Sequence, residues 1–192
     1  MQLLTQPMLL LTCFATNVAM GKEAPETCDG DENCFVLAAN GTQNYQCNTT
    51  NSEWFLDGPE AILFFANDET TKIGDHNFMP IADANGGRAT WFDDDSSVTV
   101  KLIKNIESPD GATNIDWLLT EQTSGKGDVG STFGNVKYVV RVNTGAGVAP
   151  SNDLCLTEGE ISEVFYTADY WFLESDSQTF SLWESFFKVN RC

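Results

Sequence analysis

Residues 163–173 read EVFYTADYWFL, and this stretch decides the fold class. Every second position is apolar or aromatic, a spacing that places those side chains on one face of a β-strand. The residues on that face are Val164, Tyr166, Ala168, Tyr170 and Phe172. The positions between them form a second, partly apolar set. The stretch therefore predicts a strand of a β-rich domain.

Two other segments alternate in the same way, SVTVKLIK at 97–104 and NVKYVVRVN at 135–143. They place on one face Val98, Val100 and Leu102 in the first segment, and Val136, Tyr138, Val140 and Val142 in the second. Shorter candidate strands lie at residues 34–39, 44–48, 61–66, 89–92 and 115–119. Turn clusters rich in Gly, Pro, Asn and Asp lie at residues 57–59, 85–87, 108–111 and 144–147. Many short strands at this spacing predict an antiparallel β-sandwich or barrel.

No repeat or linker interrupts this pattern, so residues 40–173 are expected to form one β domain. An N-terminal extension, residues 20–39, precedes it, and a C-terminal extension, residues 174–192, follows it. In the C-terminal extension Phe180, Trp183 and Phe187 have helical spacing, whereas Phe180 and Leu182 also suit a strand. A short helix and an extra edge strand both remain open there.

The chain is strongly acidic, with 28 Asp and Glu against 10 Lys and Arg and a net charge of −18. This balance argues against nucleic acid and anionic membrane surfaces as partners, because both attract clustered basic residues. Divalent cations, basic partners and neutral glycans stay open. The simplest reading is that the charge keeps an extracellular protein soluble.

The N-terminus predicts secretion. Residues 8–19 (MLLLTCFATNVA) are apolar, too short to span a bilayer, and followed by small and then polar residues. Residues 1–19 therefore read as a signal peptide cleaved after Ala19 or Gly21, although no Lys or Arg precedes the apolar run. No other apolar run is long enough for a membrane-spanning helix, so we expect a secreted, extracellular protein without a membrane span.

The cysteines and two sequons fit that compartment. Five of the six cysteines lie beyond the signal peptide, namely Cys28, Cys34, Cys47, Cys155 and Cys192. Because five is odd, at least one thiol is free or bonded to another molecule. Asn40 and Asn48 begin N-x-Thr sequons, which predict a glycoprotein if both are occupied.

Several pieces of the chain occur in the order typical of one family. They are GTQNYQC at 41–47, GPEA at 58–61, IGDH at 73–76, IDWLL at 115–119, YVVRVNT at 138–144, GVAP at 147–150 with Cys155, and YTADY at 166–170. Over residues 40–173 the chain resembles the secreted domain-of-unknown-function family numbered 3455. It departs from the family pattern at residues 77–80 and 82–94. The resemblance implies a secreted, β-rich domain and no known activity.

The matching pieces suggest a disulfide pairing. Cys47 and Cys155 each end or follow a matching strand and lie in turn-rich flanks, so we expect them to bond. Cys28 and Cys34 would then close an acidic loop and leave Cys192 with a thiol accessible at the chain end. The alternative is that Cys192 pairs with Cys28 or Cys34.

His76 is the single histidine, which excludes zinc sites built on several imidazoles. A Ser-His-Asp or Cys-His hydrolase would have to use it as the base, yet no Gly-x-Ser-x-Gly elbow accompanies it. A structural hydrogen bond at a strand end is the favoured role, and His76 is a weak catalytic candidate.

Three acidic or glycine-rich motifs are candidate ligand loops. Asp29, Asp31 and Asn33 alternate as in calcium loops, but the glycine and distal Glu of an EF-hand are missing. Residues 93–95 are three consecutive aspartates, and they resemble a calcium loop even less. Residues 125–130 fit G-x-G-x-x-G, but a strand follows instead of a helix, which favours a loop between strands. No cofactor is expected, with calcium as the weak alternative.

Two further features concern the strands. Arg141 lies within an apolar strand and is expected to pair with a buried acid such as Asp116. Trp91, Trp117 and Trp171 could stack on sugar rings, although aromatics in alternating strands usually belong to the core.

The leading interpretation is a non-catalytic structural or interaction protein that self-associates or binds extracellular matrix or cell-wall components. Cys192 and an apolar C-terminal cluster motivate the self-assembly; the cluster consists of Phe180, Leu182, Trp183, Phe186 and Phe187. A carbohydrate-binding or carbohydrate-acting protein is the alternative, and a small hydrolase using His76 ranks third. These classes differ in whether the aromatics and His76 line one concave pocket.

Overall fold

The computed structural model describes residues 33–66, 68–83 and 86–174, and these form an all-β structure. Eight strands follow one another along the chain: β1 (Cys34–Asn48), β2 (Glu53–Phe65), β3 (Asp68–Asp83), β4 (Gly86–Phe92), β5 (Ser97–Ile106), β6 (Trp117–Lys126), β7 (Tyr138–Ala146) and β8 (Ile161–Leu173). A single 3-10 turn, Asn152–Leu154, lies between β7 and β8. No helix in this part of the chain is long and apolar enough to cross a membrane.

The sheet closes on itself. Each strand pairs antiparallel with its chain neighbour, and β1 also pairs with β8, so that Asn40 lies opposite both Ile62 and Thr167. Closure gives every strand a neighbour on both sides, so the sheet has no edge strand. Of the two architectures that the sequence predicts, the protein adopts the barrel, and the all-β prediction is confirmed.

The strand pattern differs from the sequence prediction at several places, one of them residues 144–146, which belong to β7 and not to a turn. Residues 34–39 and 44–48 are parts of one strand, β1, and β3 was not predicted because its sequence is largely polar. Residues 57–59 form an irregularity within β2 instead of a turn, opposite Asn44 and Tyr45. Gly58 makes this possible, since its φ is +144° and a Cβ there would lie 2.7 Å from the Phe78 ring.

Alternation sorts the side chains into an inner and an outer set. On β8 the inner set is the one predicted, and Tyr166, Tyr170 and Phe172 are almost fully buried. Of the face predicted for this segment, Tyr138, Val140 and Val142 on β7 point outward and pack with Trp117 and Trp171, whereas Val136 precedes β7 and packs in the inner core. The intervening Val139 and Arg141 therefore point into the barrel, where both line the cavity described below.

Candidate functional site

The barrel encloses a cavity of about 930 Å³, within the size range of small-molecule sites. An eight-stranded barrel is just wide enough to be filled by side chains or to hold one small ligand. Here the inner residues fill one half and leave the other open. Residues from all eight strands line the cavity, as do the β5–β6 connection and residues 148–149.

A plug of phenylalanines fills the opposite half. Phe35 from β1 stacks on Phe172 from β8 with ring centroids 4.8 Å apart, and Phe133 lies 5.3 Å from Phe172. Phe133 comes from the connection between β6 and β7 and is fully buried. Its backbone N–H donates to the Ser96 hydroxyl at 3.0 Å. The cavity is therefore closed on this side.

An aromatic cluster separates the plug from the cavity. His76 stacks on Trp91 with ring centroids 4.2 Å apart, and Tyr170 packs edge-on against both rings. All three side chains line the cavity and are at most 2% exposed. His76 therefore shares one pocket with Trp91 and Tyr170. Trp117 and Trp171 belong instead to the outer cluster.

His76 is held as a neutral ring. Its Nδ1 lies 2.9 Å from the Thr90 carbonyl oxygen, which can only accept, so Nδ1 carries the proton and Nε2 does not. Burial lowers the pKa of His76 to about 3; the hydrogen bond to Thr90 opposes this shift and the charge of Arg141 adds to it. The residue lies within β3, facing β4, and not at a strand end as expected.

The wall opens between β4 and β5. These strands pair only at Thr90–Thr99, Trp91–Val98 and Phe92–Ser97, and then separate. Beyond the last pair, Ala89 on β4 and Leu102 on β5 line the cavity. Leu102 is 56% exposed, and the lining residues Leu56 and Val148 are also large exposed apolar side chains. Leu102, beside the gap, therefore belongs to an entrance to the cavity, whereas Leu56 on β2 and Val148 after β7 are exposed at other parts of the lining.

Arg141 supplies a charge inside the barrel. Its Nε and Nη2 atoms donate to the backbone carbonyl of Asp116 at 3.0 and 2.8 Å. The sequence predicted a pair with the carboxylate of Asp116, but that carboxylate accepts a hydrogen bond from Asn105 instead. Among the described residues, no acid forms a salt bridge with the guanidinium. Arg141 thus contacts Asp116 as predicted, but it binds the backbone carbonyl of Asp116 and not the carboxylate.

The comparison with known families identifies one family. A family model described as "Protein of unknown function (DUF3455)" matches residues 28–174. The chain belongs to this family. The match begins early enough to include the Cys28–Cys34 segment, which the sequence pattern sets apart as an extension. Neither a curated protein nor a solved structure matches the chain.

The DUF3455 domain carries the predicted long-range disulfide. Cys47 bonds Cys155, with Cα atoms 5.2 Å apart across a sequence separation of 108 residues. Cys34 is also disulfide-bonded. Its partner lies outside the described residues, as do Cys28 and Cys192, so the predictions of a Cys28–Cys34 bridge and a free Cys192 stay predictions. The C-terminal cluster from Phe180 onward also lies outside this range.

The other predicted site residues do not gather into one site. Asn40 is exposed on β1 and Asn48 is half-buried at its end, so glycosylation stays a prediction. Asn33 is exposed just before β1, whereas Asp29 and Asp31 lie outside the described residues. Asp93 accepts hydrogen bonds from the Ser96 hydroxyl and the Ser96 and Asp95 backbone in the β4–β5 turn. No group of three or more potential metal ligands occurs among the described residues.

Sequence reasoning did not identify most of the residues that line the cavity, among them two with polar side chains, Gln43 and Arg141. Gln43 is 2% exposed and lines the cavity, with no hydrogen bond of good geometry for its Nε2. Arg141 was noticed as unusual but not placed at a cavity. A signal was present, because Arg141 is a lone base at an alternate position of an apolar strand in an acidic protein. Nothing in the sequence marks Gln43.

Proposed function

We propose that this protein is a secreted, non-catalytic binding protein that holds a small, mainly apolar molecule inside its barrel. The observation that carries the proposal is the cavity of about 930 Å³, closed by the phenylalanine plug and open between β4 and β5. A concave, mostly apolar cavity with a few polar groups is the usual form of a small-molecule site.

The state of His76 favours binding over hydrolysis. A general base must accept a proton near the operating pH, whereas burial holds the pKa of His76 at about 3. Its Nδ1 is bonded to a backbone carbonyl, where a hydrolase would place an orienting carboxylate. The ring therefore suits a cavity wall better than a catalytic base.

The tryptophans give little support to the carbohydrate alternative. A sugar stacks on an exposed ring face. Trp91 is 2% exposed with His76 on one face, and Trp117 and Trp171 are 5% and 1% exposed. A neutral glycan remains an outcome of the experiment below.

Secretion is the part of the proposal that rests on the sequence. The signal-like N-terminus predicts export, and the Cys47–Cys155 disulfide is of the kind that persists in oxidising compartments. Self-association and binding to extracellular matrix or cell-wall components also stay predictions, since their motivating residues lie outside the described range.

The first prediction concerns the entrance. The purified full-length chain should bind N-phenyl-1-naphthylamine, a neutral apolar fluorophore, with a rise in fluorescence. Leu102→Glu should weaken binding about tenfold, because it removes apolar contact and places a charge at the rim. Ile103→Glu is the matched control, since Ile103 is 47% exposed and does not line the cavity.

Equal loss in both variants would place the fluorophore on the outer surface and contradict the proposal. Absence of fluorophore binding, together with saturable binding of a neutral oligosaccharide, would support the carbohydrate alternative instead.

A further inference from the structure

We propose that the ligand is an amphipathic acid, a carboxylate on an apolar body, and that Arg141 binds its carboxylate inside the barrel. This inference rests on the proposed function and adds the chemical class of the ligand. Three independent features carry it: the contacts of Arg141, the buried donors around it, and the distribution of charge in the cavity.

The first feature is a half-buried cation that forms no salt bridge with a described residue. Arg141 lies on the inner face of β7, and its guanidinium donates to the neutral carbonyl of Asp116 and contacts the neutral hydroxyl of Tyr170. Charges removed from water are costly unless they are paired. The guanidinium retains further N–H groups, in a planar fork that matches a carboxylate.

The position of that charge is central to the cavity. Burial raises the pKa of Tyr45, Tyr166 and Tyr170, and the charge of Arg141 opposes this shift at all three phenols. It also contributes to the lowered pKa of His76. The guanidinium on β7 therefore acts on groups from three other strands, β1, β3 and β8.

The second feature is a surplus of hydrogen-bond donors. The Nε1 of Trp91 and the Nε2 of Gln43 are buried and make no hydrogen bond of good geometry with a described residue, although the Gln43 amide also acts on the Tyr166 hydroxyl. Both residues line the cavity. Unpaired buried N–H groups cost free energy, and an acceptor oxygen within the cavity would offset that cost. A carboxylate offers acceptors only.

The third feature is charge. Among the described residues, three of the chain's 10 basic residues line the cavity (Arg88, Lys101 and Arg141), against two of its 28 acids (Glu107 and Asp116). A strongly acidic protein thus places bases at the cavity and its entrance. Such an arrangement attracts an anion locally while the rest of the surface repels it.

Matched ligands test the inference. Dodecanoic acid and dodecan-1-ol share a chain length and differ in the charged group, and both can be titrated against bound N-phenyl-1-naphthylamine. The wild type should bind the acid at least about tenfold more tightly than the alcohol, as expected of hydrogen bonds to a charged group. Arg141→Gln should abolish that preference, because it lowers the affinity for the acid to about that for the alcohol.

Lys101→Gln is the matched control. Lys101 also lines the cavity, but it is half-exposed at the rim and pairs with Glu121 at 2.9 Å. Its removal should leave most of the acid preference intact. If Lys101→Gln abolishes the preference and Arg141→Gln does not, the assignment to Arg141 is wrong.

A measurement on the wild type covers the case in which Arg141→Gln does not fold. With dodecanoic acid labelled with ¹³C at the carboxyl carbon, NMR reports the pKa of the bound acid. Pairing with Arg141 should lower it below that of the free acid, whereas an unpaired carboxylate in an apolar cavity would have a raised pKa. A raised value overturns the inference.

The two proposals fail differently. If alcohol and acid bind equally, the cavity binds small apolar molecules and the acid assignment is wrong. If neither they nor the fluorophore bind, the proposed function itself is wrong.

Discussion

At the residue scale, His76 shows how burial determines chemistry. An exposed imidazole titrates near neutral pH. Here the ring lies between Trp91 and Tyr170, away from water, and its single N–H is used by the Thr90 carbonyl. The residue that is easiest to suspect of catalysis from the sequence is therefore a neutral component of the barrel wall.

The pH dependence of stability follows from this state. Below about pH 6.5 the unfolded chain binds a proton at His76, and the folded chain does not until the pH approaches 3. Unfolding is therefore favoured as the pH falls through this window, by up to about 1.4 kcal/mol per pH unit for one proton. Relative to His76→Phe, the wild type should lose stability between pH 7.5 and 4.5.

Urea unfolding of both proteins at the two pH values measures this difference. The carboxylates are common to both chains, so their contributions cancel in the comparison. Parallel pH profiles for the wild type and the variant would show that His76 is not held neutral in the folded state.

At the element scale, the connection between β6 and β7 acts as part of the core. It contributes Phe133, which is 0% exposed, while Val129 in the same connection is 88% exposed. Gly74 on β3 leaves room for this ring, since a Cβ there would lie 3.2 Å from Phe133 and 2.6 Å from the Phe92 carbonyl oxygen. The segment that carries G-x-G-x-x-G thus leads into the plug and not into a nucleotide site.

The plug gives a prediction of stability. Phe133→Ala should lower the free energy of unfolding by about 3–5 kcal/mol, because it leaves a cavity at a site surrounded by fixed strands. Val129→Ala, in the same connection, should change it by less than about 0.5 kcal/mol. Chemical denaturation compares the two, and similar effects would show that the plug does not contribute to the core.

At the scale of the whole molecule, the Cys47–Cys155 disulfide joins two segments at one end of the barrel. Cys47 closes β1, and Cys155 lies in the long connection that leads to β8. Nearby, the Tyr45 hydroxyl donates to the Gly147 carbonyl at 2.7 Å. The connection beside the cavity is thereby held against the strand that closes the ring.

Removing this bond should destabilise the barrel. The double variant Cys47→Ala/Cys155→Ala should unfold with a free energy lower by up to about 4–5 kcal/mol, since the bond restrains a long loop in the unfolded chain. Thermal and urea unfolding under non-reducing conditions measure the change. The disulfide of Cys34 remains in the variant, so an unchanged stability would show that the Cys47–Cys155 bond does not restrain the unfolded chain.

The amino-acid sequence by itself determined the strands whose pattern is local. Residues 163–173 specify both a strand and its inner face, because side chains alternate strictly along an extended backbone. The Cys47–Cys155 pairing was also within reach, since cysteines are few and the matching strands give their order. The polar strand β3 could not be predicted from the sequence, because its residues do not alternate between apolar and polar. Its backbone pairing with β2 and β4 makes it a strand.

Only the tertiary structure decided where the cavity lies and which charged side chains line it. On β7 the more apolar face, with Tyr138, Val140 and Val142, points outward, so periodicity alone would place Val139 and Arg141 outside; the pairing of β7 with β6 and β8 decides that they face inward. The same holds for Gln43, which has no local signal, and for the gap between β4 and β5. A cavity is a property of how eight strands close and where they separate, and that geometry comes from contacts between residues distant in the chain.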